Sequence, residues 1–136
     1  MTLSHVLLML LSIRAAQVGR YGDPGDRLAG GTPACARRLP RAEYQSKQPL
    51  MCAHRTLPCG TPVLLLAPAG KVCSAPGKCA EVKARSAICY VLDRGPYTKL
   101  STGKYRSEFD LSPGAAQAIN LSLYTGRMRL LYVPLR

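Results

Sequence analysis

The chain has 136 residues, enough for one domain with one modest core, and its 47% apolar share without a low-complexity tract excludes a disordered or fibrous protein. A formal net charge of +12 favours a polyanionic partner: nucleic acid, an anionic membrane or an acidic wall polymer. Six cysteines, none in a Cys-x-x-Cys pair, beside only two histidines argue against a zinc site and for disulfides in an oxidising compartment, so no metal or cofactor is expected.

Residues 3–13 are apolar apart from Ser4, His5 and Ser12. The run is too short to cross a bilayer as a helix, so no stable membrane span is expected. It fits the apolar region of a secretory leader, followed by small residues at Ala15 and Ala16. Residues 1–18 are therefore read as a leader and 19–136 as the folded domain, with the mature chain starting between Ala15 and Gly22. The alternative for the first residues is a core strand. A leader ahead of a disulfide-type cysteine set places the protein outside the cytoplasm, secreted or in the periplasm and cell envelope.

Residues 18–48 are rich in Gly, Pro and Arg and keep no long period, which predicts loops with one short strand near Gly19–Gly22. Glu43 is the only carboxylate between Asp26 and Glu81. It is either a salt-bridge partner for Arg41 or Lys47 or a site residue.

A tight polar piece follows at 53–58, then a turn at Cys59-Gly60-Thr61-Pro62 and an apolar strand at 63–67. His54, in the polar piece, can donate or accept a proton near neutral pH. Residues 69–78 read as a hairpin-like loop. Residues 79–92 return as strand, broken by the charged patch at 81–85. The run Ile88-Cys89-Tyr90-Val91-Leu92 reads as a buried strand, with Asp93 at its end and Gly95-Pro96 forcing a turn. A basic loop with Lys99, Lys104 and Arg106 leads to a second carboxylate, Asp110. Ser112-Pro113 opens a helix that ends near Asn120, because Ser caps well and Pro suits the first helical position. Residues 127–134 close the chain as a strand. Short strands with one late helix predict a mainly β protein, a small barrel with an accessory helix.

Three pieces together are more specific than any one: Ala53-His54-Arg55-Thr56-Leu57-Pro58-Cys59-Gly60-Thr61, Val91-Leu92-Asp93-Arg94-Gly95-Pro96-Tyr97 and Phe109-Asp110-Leu111-Ser112-Pro113. In order and approximate spacing they resemble the rare lipoprotein A family, from Cys52 to Val133 and more weakly from Tyr21 to Gln48. The resemblance implies a six-stranded double-psi β-barrel, shared with expansins and barwin-like proteins, with a short helix near 113–120. It implies an endolytic peptidoglycan lytic transglycosylase, cutting between MurNAc and GlcNAc to leave anhydro-muramic ends. The family's Asp and His match Asp93 and His54. Its Glu lies eleven residues before its His, where this chain has Glu43, although Ala42 replaces the usual preceding Gly. Asp110 matches the Asp of the family's Asp-Leu-Ser motif. Arg94, Tyr97 and Asp110 are the expected substrate contacts, with Arg94 pairing either with Asp110 or with an acidic group on the substrate.

The resemblance also suggests a Cys35–Cys59 disulfide, which leaves Cys52, Cys73, Cys79 and Cys89 for two further bridges. The expected partners are peptidoglycan glycan strands and anionic wall polymers. No nucleic-acid motif accompanies the charge. The competing reading is a non-catalytic, expansin- or barwin-like barrel that binds wall polysaccharide.

Overall fold

The computed structural model describes residues 1–20, 34–35, 50–121 and 127–135. Six strands close into a barrel: β1 (Arg14–Arg20), β2 (Met51–Ala53), β3 (Pro62–Ala67), β6 (Arg85–Asp93), β7 (Phe109–Leu111) and β8 (Met128–Pro134), in the order β1-β7-β2-β6-β3-β8. Each places alternate side chains inward, as the two-residue strand period requires. Val63, Leu65 and Ala67 of β3 are buried while their neighbours are half-buried. Val18, Cys52, Cys89, Val91, Phe109, Leu111, Leu130 and Tyr132 complete the interior, with Phe109 packed edge-on against Tyr132 at 4.8 Å. Closure leaves the barrel no open sheet edge.

Two pairings in this closed sheet are parallel, β1 with β7 and β2 with β6; the others are antiparallel. Parallel neighbours cannot be joined by a tight hairpin, so the chain crosses over twice to make them. This is the double-psi barrel expected above. The short helix α2 (Pro113–Ala118) packs on it through the small residues Gly114, Ala115 and Ala116. Ser112 caps α2 by accepting from the Ala115 N–H, and the same hydroxyl accepts from the Met51 N–H at 3.2 Å. Asn120, at φ 66°, turns the chain away after the helix.

The stretch expected as a loop at 69–78 is instead the first strand and the turn of a two-stranded hairpin outside the barrel, β4 (Gly70–Ala75) and β5 (Lys78–Val82). Cys73 and Cys79 are register partners in it and are disulfide-bonded. The strand break expected at 81–85 falls between Val82 and Arg85.

Two expectations need correction. The barrel starts before the boundary placed at residue 18. The stretch from Arg14 pairs with both β7 and β8 and buries Ala16 and Val18, so a cut between Ala15 and Gly22 would remove part or all of a barrel strand. The apolar stretch ahead of it is a nine-residue helix, α1 (Leu3–Leu11), with Leu3, Leu7 and Leu8 exposed. Among the described residues no helix is long and apolar enough to cross a membrane.

The second correction concerns the cysteines. Cys35–Cys59 forms as expected, but Cys52 and Cys89 are free thiols. Cys52 stands opposite Val91, not Cys89, and both thiols fill the core as small apolar groups. They touch through a hydrogen bond, and burial pushes the Cys52 thiol well above its ordinary pKa, so it stays protonated.

Candidate functional site

Ala53 in β2 pairs with Asp93 of β6 on one side and Asp110 of β7 on the other. The two carboxylates singled out in the sequence therefore flank one small residue. Their surroundings differ.

Asp93 sits in a tied corner. Its Oδ1 accepts from the Ala34 N–H at 2.9 Å and from the Arg94 N–H at 2.8 Å. The neighbouring Leu92 carbonyl accepts from the Cys35 N–H, and Cys35 is bonded to Cys59. Arg94 turns back onto the same loop: Nη1 donates to the His54 and Leu57 carbonyls at 3.0 and 2.6 Å, and Nη2 reaches the Cys59 sulfur at 3.3 Å. The guanidinium expected to contact substrate is spent on backbone.

His54 is buried against the Phe109 ring at 4.7 Å. Its Nδ1 accepts from the Thr56 and Leu57 N–H groups at 3.1 and 2.9 Å. An accepting Nδ1 carries no proton, so the proton is on Nε2 and is donated to Glu108 Oε1 at 2.8 Å. Burial lowers the His54 pKa below its ordinary value, more than the Glu108 carboxylate raises it, and the imidazole is neutral.

The second Glu108 oxygen accepts from Arg55 Nη2 at 2.6 Å. Arg55 Nη1 donates to the Pro96 and Ser107 carbonyls at 2.7 and 2.8 Å, and the guanidinium lies 3.9 Å from the Tyr105 ring centroid. Sequence reasoning missed both Arg55 and Glu108. The signals were there: Glu108 is the only carboxylate in the basic loop 97–108, and Arg55 lies inside the Ala-His-Arg-Thr-Leu-Pro piece.

Asp110 lies in an open cleft. Its register partner on the far side is Gly19 of β1, so the carboxylate has Ala53 and Gly19, both small, to left and right. A Cβ at Gly19 would come within 2.8 Å of Asp110 Oδ1, so a larger residue there would make the carboxylate shift. The cleft has a volume of about 260 Å3, and Arg20, Arg106, Arg127 and Ser107 line it together with Asp110. Tyr97 stands beside the lining residue Pro96 and is 61% exposed. A larger, mostly apolar cavity of about 890 Å3 is lined by residues of α1 and of the end of β8, and among the described residues that line it His5 is the only titratable side chain.

The structure therefore brings Asp93, Arg94 and His54 together in the corner and puts Asp110 at the cleft, whereas Tyr97 is exposed between the lining residues Pro96 and Thr98 without lining it. Glu43 lies outside the described residues. Among the described residues no three metal-ligating side chains cluster.

No protein-family model matches the chain, and no curated protein does. Among solved structures, a papain inhibitor from Streptomyces is similar in fold: 17% identity over 91% of this chain and 94% of that one, with a TM-score of 0.56. The likeness is one of fold alone.

Proposed function

We propose that the chain is a wall-polysaccharide-binding barrel that holds peptidoglycan glycan strands in the Asp110 cleft. The observation that carries this reading is the cleft itself: a carboxylate and three arginines in a space of about 260 Å3 on the barrel's outer face. Carboxylates accept sugar hydroxyls, and guanidinium groups clamp the acidic groups of wall polymers. The resemblance to the rare lipoprotein A family supplies the substrate class. The disulfides suit an oxidising compartment; secretion to the cell envelope belongs to the same proposal. Co-sedimentation with purified sacculi tests it. Retention at low salt that falls on Asp110→Asn is the expected result, and no retention at low salt overturns it.

A second reading, lytic transglycosylation, is favoured by one feature. Among the described residues that line the cleft, Asp110 is the only carboxylate. Hydrolysis with inversion needs a second carboxylate to activate water. Transglycosylation needs one carboxyl, which protonates the leaving oxygen and then takes a proton from the sugar's own hydroxyl as that hydroxyl closes the anhydro ring. In this reading Asp110 carries the proton, or Asp93 does with Glu43 and His54, following the family motif. Mass spectrometry of digests separates the assignments. Anhydro-ended fragments from wild type that vanish in Asp110→Asn but persist in Asp93→Asn support the cleft; the reverse pattern supports the motif. Absence of fragments from wild type removes the enzyme reading and leaves binding.

A further inference from the structure

We infer that Arg127, Arg106 and Lys104, a row running from the cleft along one face of the loop 98–106, bind a phosphodiester polymer without bases, a polyol phosphate chain. This goes beyond the glycan-strand reading above and does not depend on it.

The loop is a tied hairpin. The Arg106 N–H donates to the Thr98 carbonyl and the Leu100 N–H to the Lys104 carbonyl, both at 2.8 Å, and between these pairs Lys99 and Tyr105 are antiparallel bridge partners. Gly103, at φ 85°, closes the turn and donates to the Leu100 carbonyl at 2.9 Å. Opposed residues of such a pair share a face, and the next pair takes the other face. Lys99 and Tyr105 share one: the Lys99 ammonium lies 5.2 Å from the Tyr105 ring centroid and the Arg55 guanidinium 3.9 Å from it. Thr98 and Arg106 take the opposite face, and both line the cleft. Leu100 and Lys104 continue that face toward the tip. Arg127, just ahead of β8, lines the cleft as well.

The charges of this row are open to a ligand. Arg106, Arg127 and Lys104 are exposed, and among the described residues their side chains have no hydrogen-bond or ion-pair partner. Asp110 and Arg20 have partners within the protein. The row therefore offers donors and positive charge, which suits a ligand of acceptors and negative charge. A phosphodiester is such a group. Its oxygens are arranged tetrahedrally, so guanidinium groups from the loop and from the barrel can share one chain, and an ammonium serves it as a point charge; a carboxylate holds both oxygens in one plane. Arg106 and Lys104 stand two residues apart on a chain that advances about 3.3 Å per residue, so they meet successive anionic groups of a polymer. Among the described residues that line the cleft none is aromatic, and the Tyr105 ring lies on the other face with Arg55 and Lys99. Bases would find no stacking platform on the row, which sets nucleic acid aside.

The test is titration calorimetry on the full chain with its disulfides intact, at low salt and then over a salt series. The probes, matched in charge concentration, are poly(glycerol phosphate), polygalacturonate and oligothymidylate. Poly(glycerol phosphate) is expected to bind at least about tenfold tighter than either of the others. Arg127→Gln, Arg106→Gln and Lys104→Gln should each weaken it several-fold and lower the log–log salt slope by about one. Lys99→Gln removes the same charge from the opposite face and should stay within about twofold of wild type, because its attraction is screened by solvent and salt. Thermal melts of each variant confirm folding. A loss at Lys99→Gln equal to that at Lys104→Gln overturns the inference in favour of diffuse attraction to net charge. Polygalacturonate binding as tightly overturns it in favour of a general anion surface, and oligothymidylate binding as tightly in favour of nucleic acid. No binding of poly(glycerol phosphate) overturns it outright, whatever sacculi retain. Sacculi stripped of phosphate polymers report on the glycan-strand reading alone: no retention there removes that reading, and the inference stands on the pattern of row variants.

Discussion

The corner at Asp93 and the cleft at Asp110 sit on either side of the same β2 residue, Ala53, and use similar side chains for opposite ends. In the corner, Arg94, His54 and Glu108 give their polar atoms to the protein's own backbone and to one another. In the cleft, Asp110 and the arginines line a space large enough for a ligand. The residues that look most catalytic in the sequence are thus the ones that hold the loops. The corner matters to the cleft all the same, because Arg55 grips the carbonyls of Pro96 and Ser107, two residues of the cleft lining. One region holds loops together, and the other is the surface proposed above to take a ligand.

The largest expected effect is at the link between them. Arg55→Ala strips a largely buried cation from Glu108 and leaves the Pro96 and Ser107 carbonyls without this donor. Breaking a partly buried charged network of this kind costs about 3 kcal/mol. Urea unfolding should show that loss, and wall retention should fall with it. Unchanged stability would mean that the corner is not a scaffold.

Asp93 gives a sharper cut. Asp93→Ala removes the acceptor of two backbone N–H groups, a loss of about 1–2 kcal/mol. Asp93→Asn keeps an oxygen in that place and should stay within about 0.5 kcal/mol of wild type. If Asp93→Asn is fully stable yet abolishes release of anhydro fragments that the wild type produces, the corner does chemistry and the contrast drawn above collapses.

The cleft should respond to salt instead. Lys99, Lys104, Arg106 and Arg127 are exposed, and attraction between exposed charges is screened over about 8 Å at physiological ionic strength. Wall retention should fall between low and high salt, and Arg127→Gln should flatten that dependence while leaving the unfolding midpoint within about 0.5 kcal/mol. Salt-independent retention would assign binding to a surface other than the cleft.

How much of this was readable follows from the range of each interaction. β3, β6, β8 and α2 announce themselves locally, through alternation, apolar runs and the Ser112-Pro113 cap. β1 does not. Its sequence, Arg-Ala-Ala-Gln-Val-Gly-Arg, has the small residues of a leader's end, and it becomes a strand through distant partners such as Phe109 opposite Val18. The Cys73–Cys79 bridge is local to a hairpin, whereas the sealed Cys52 and Cys89 depend on a parallel register that no spacing reveals. In the candidate site, the motifs pointed to Asp93, His54 and Asp110, and the barrel sets the two carboxylates on either side of Ala53, next to His54. Division of labour among them is set by which backbone groups lie nearby, and that is a property of the closed barrel.

The smallest expected effect tests the scaffold assignment of His54 through its proton. The neutral imidazole accepts two N–H groups at Nδ1 and donates from Nε2 to Glu108, so the folded state resists a second proton. Its folded pKa is lowered, chiefly by burial, while the unfolded chain keeps a value near 6.5. Between those two values the unfolded state binds more protons than the folded one. The His54 contribution is therefore complete above pH 6.5 and is lost as pH falls toward the folded pKa, at about 1.4 kcal/mol for each unit of lowering. Urea midpoints at pH 7.5, 6.5 and 5.5 should decline for wild type more steeply than for His54→Asn, which keeps an acceptor toward Thr56 and Leu57 but does not titrate. Glu108→Gln removes the group that pulls the pKa up, so its decline should continue to lower pH. If wild type instead gains stability over His54→Asn on acidification, the pair is an imidazolium facing a carboxylate. Nδ1 could not then be the acceptor that holds the loop, and His54 would return to the list of groups able to hand a proton to a substrate.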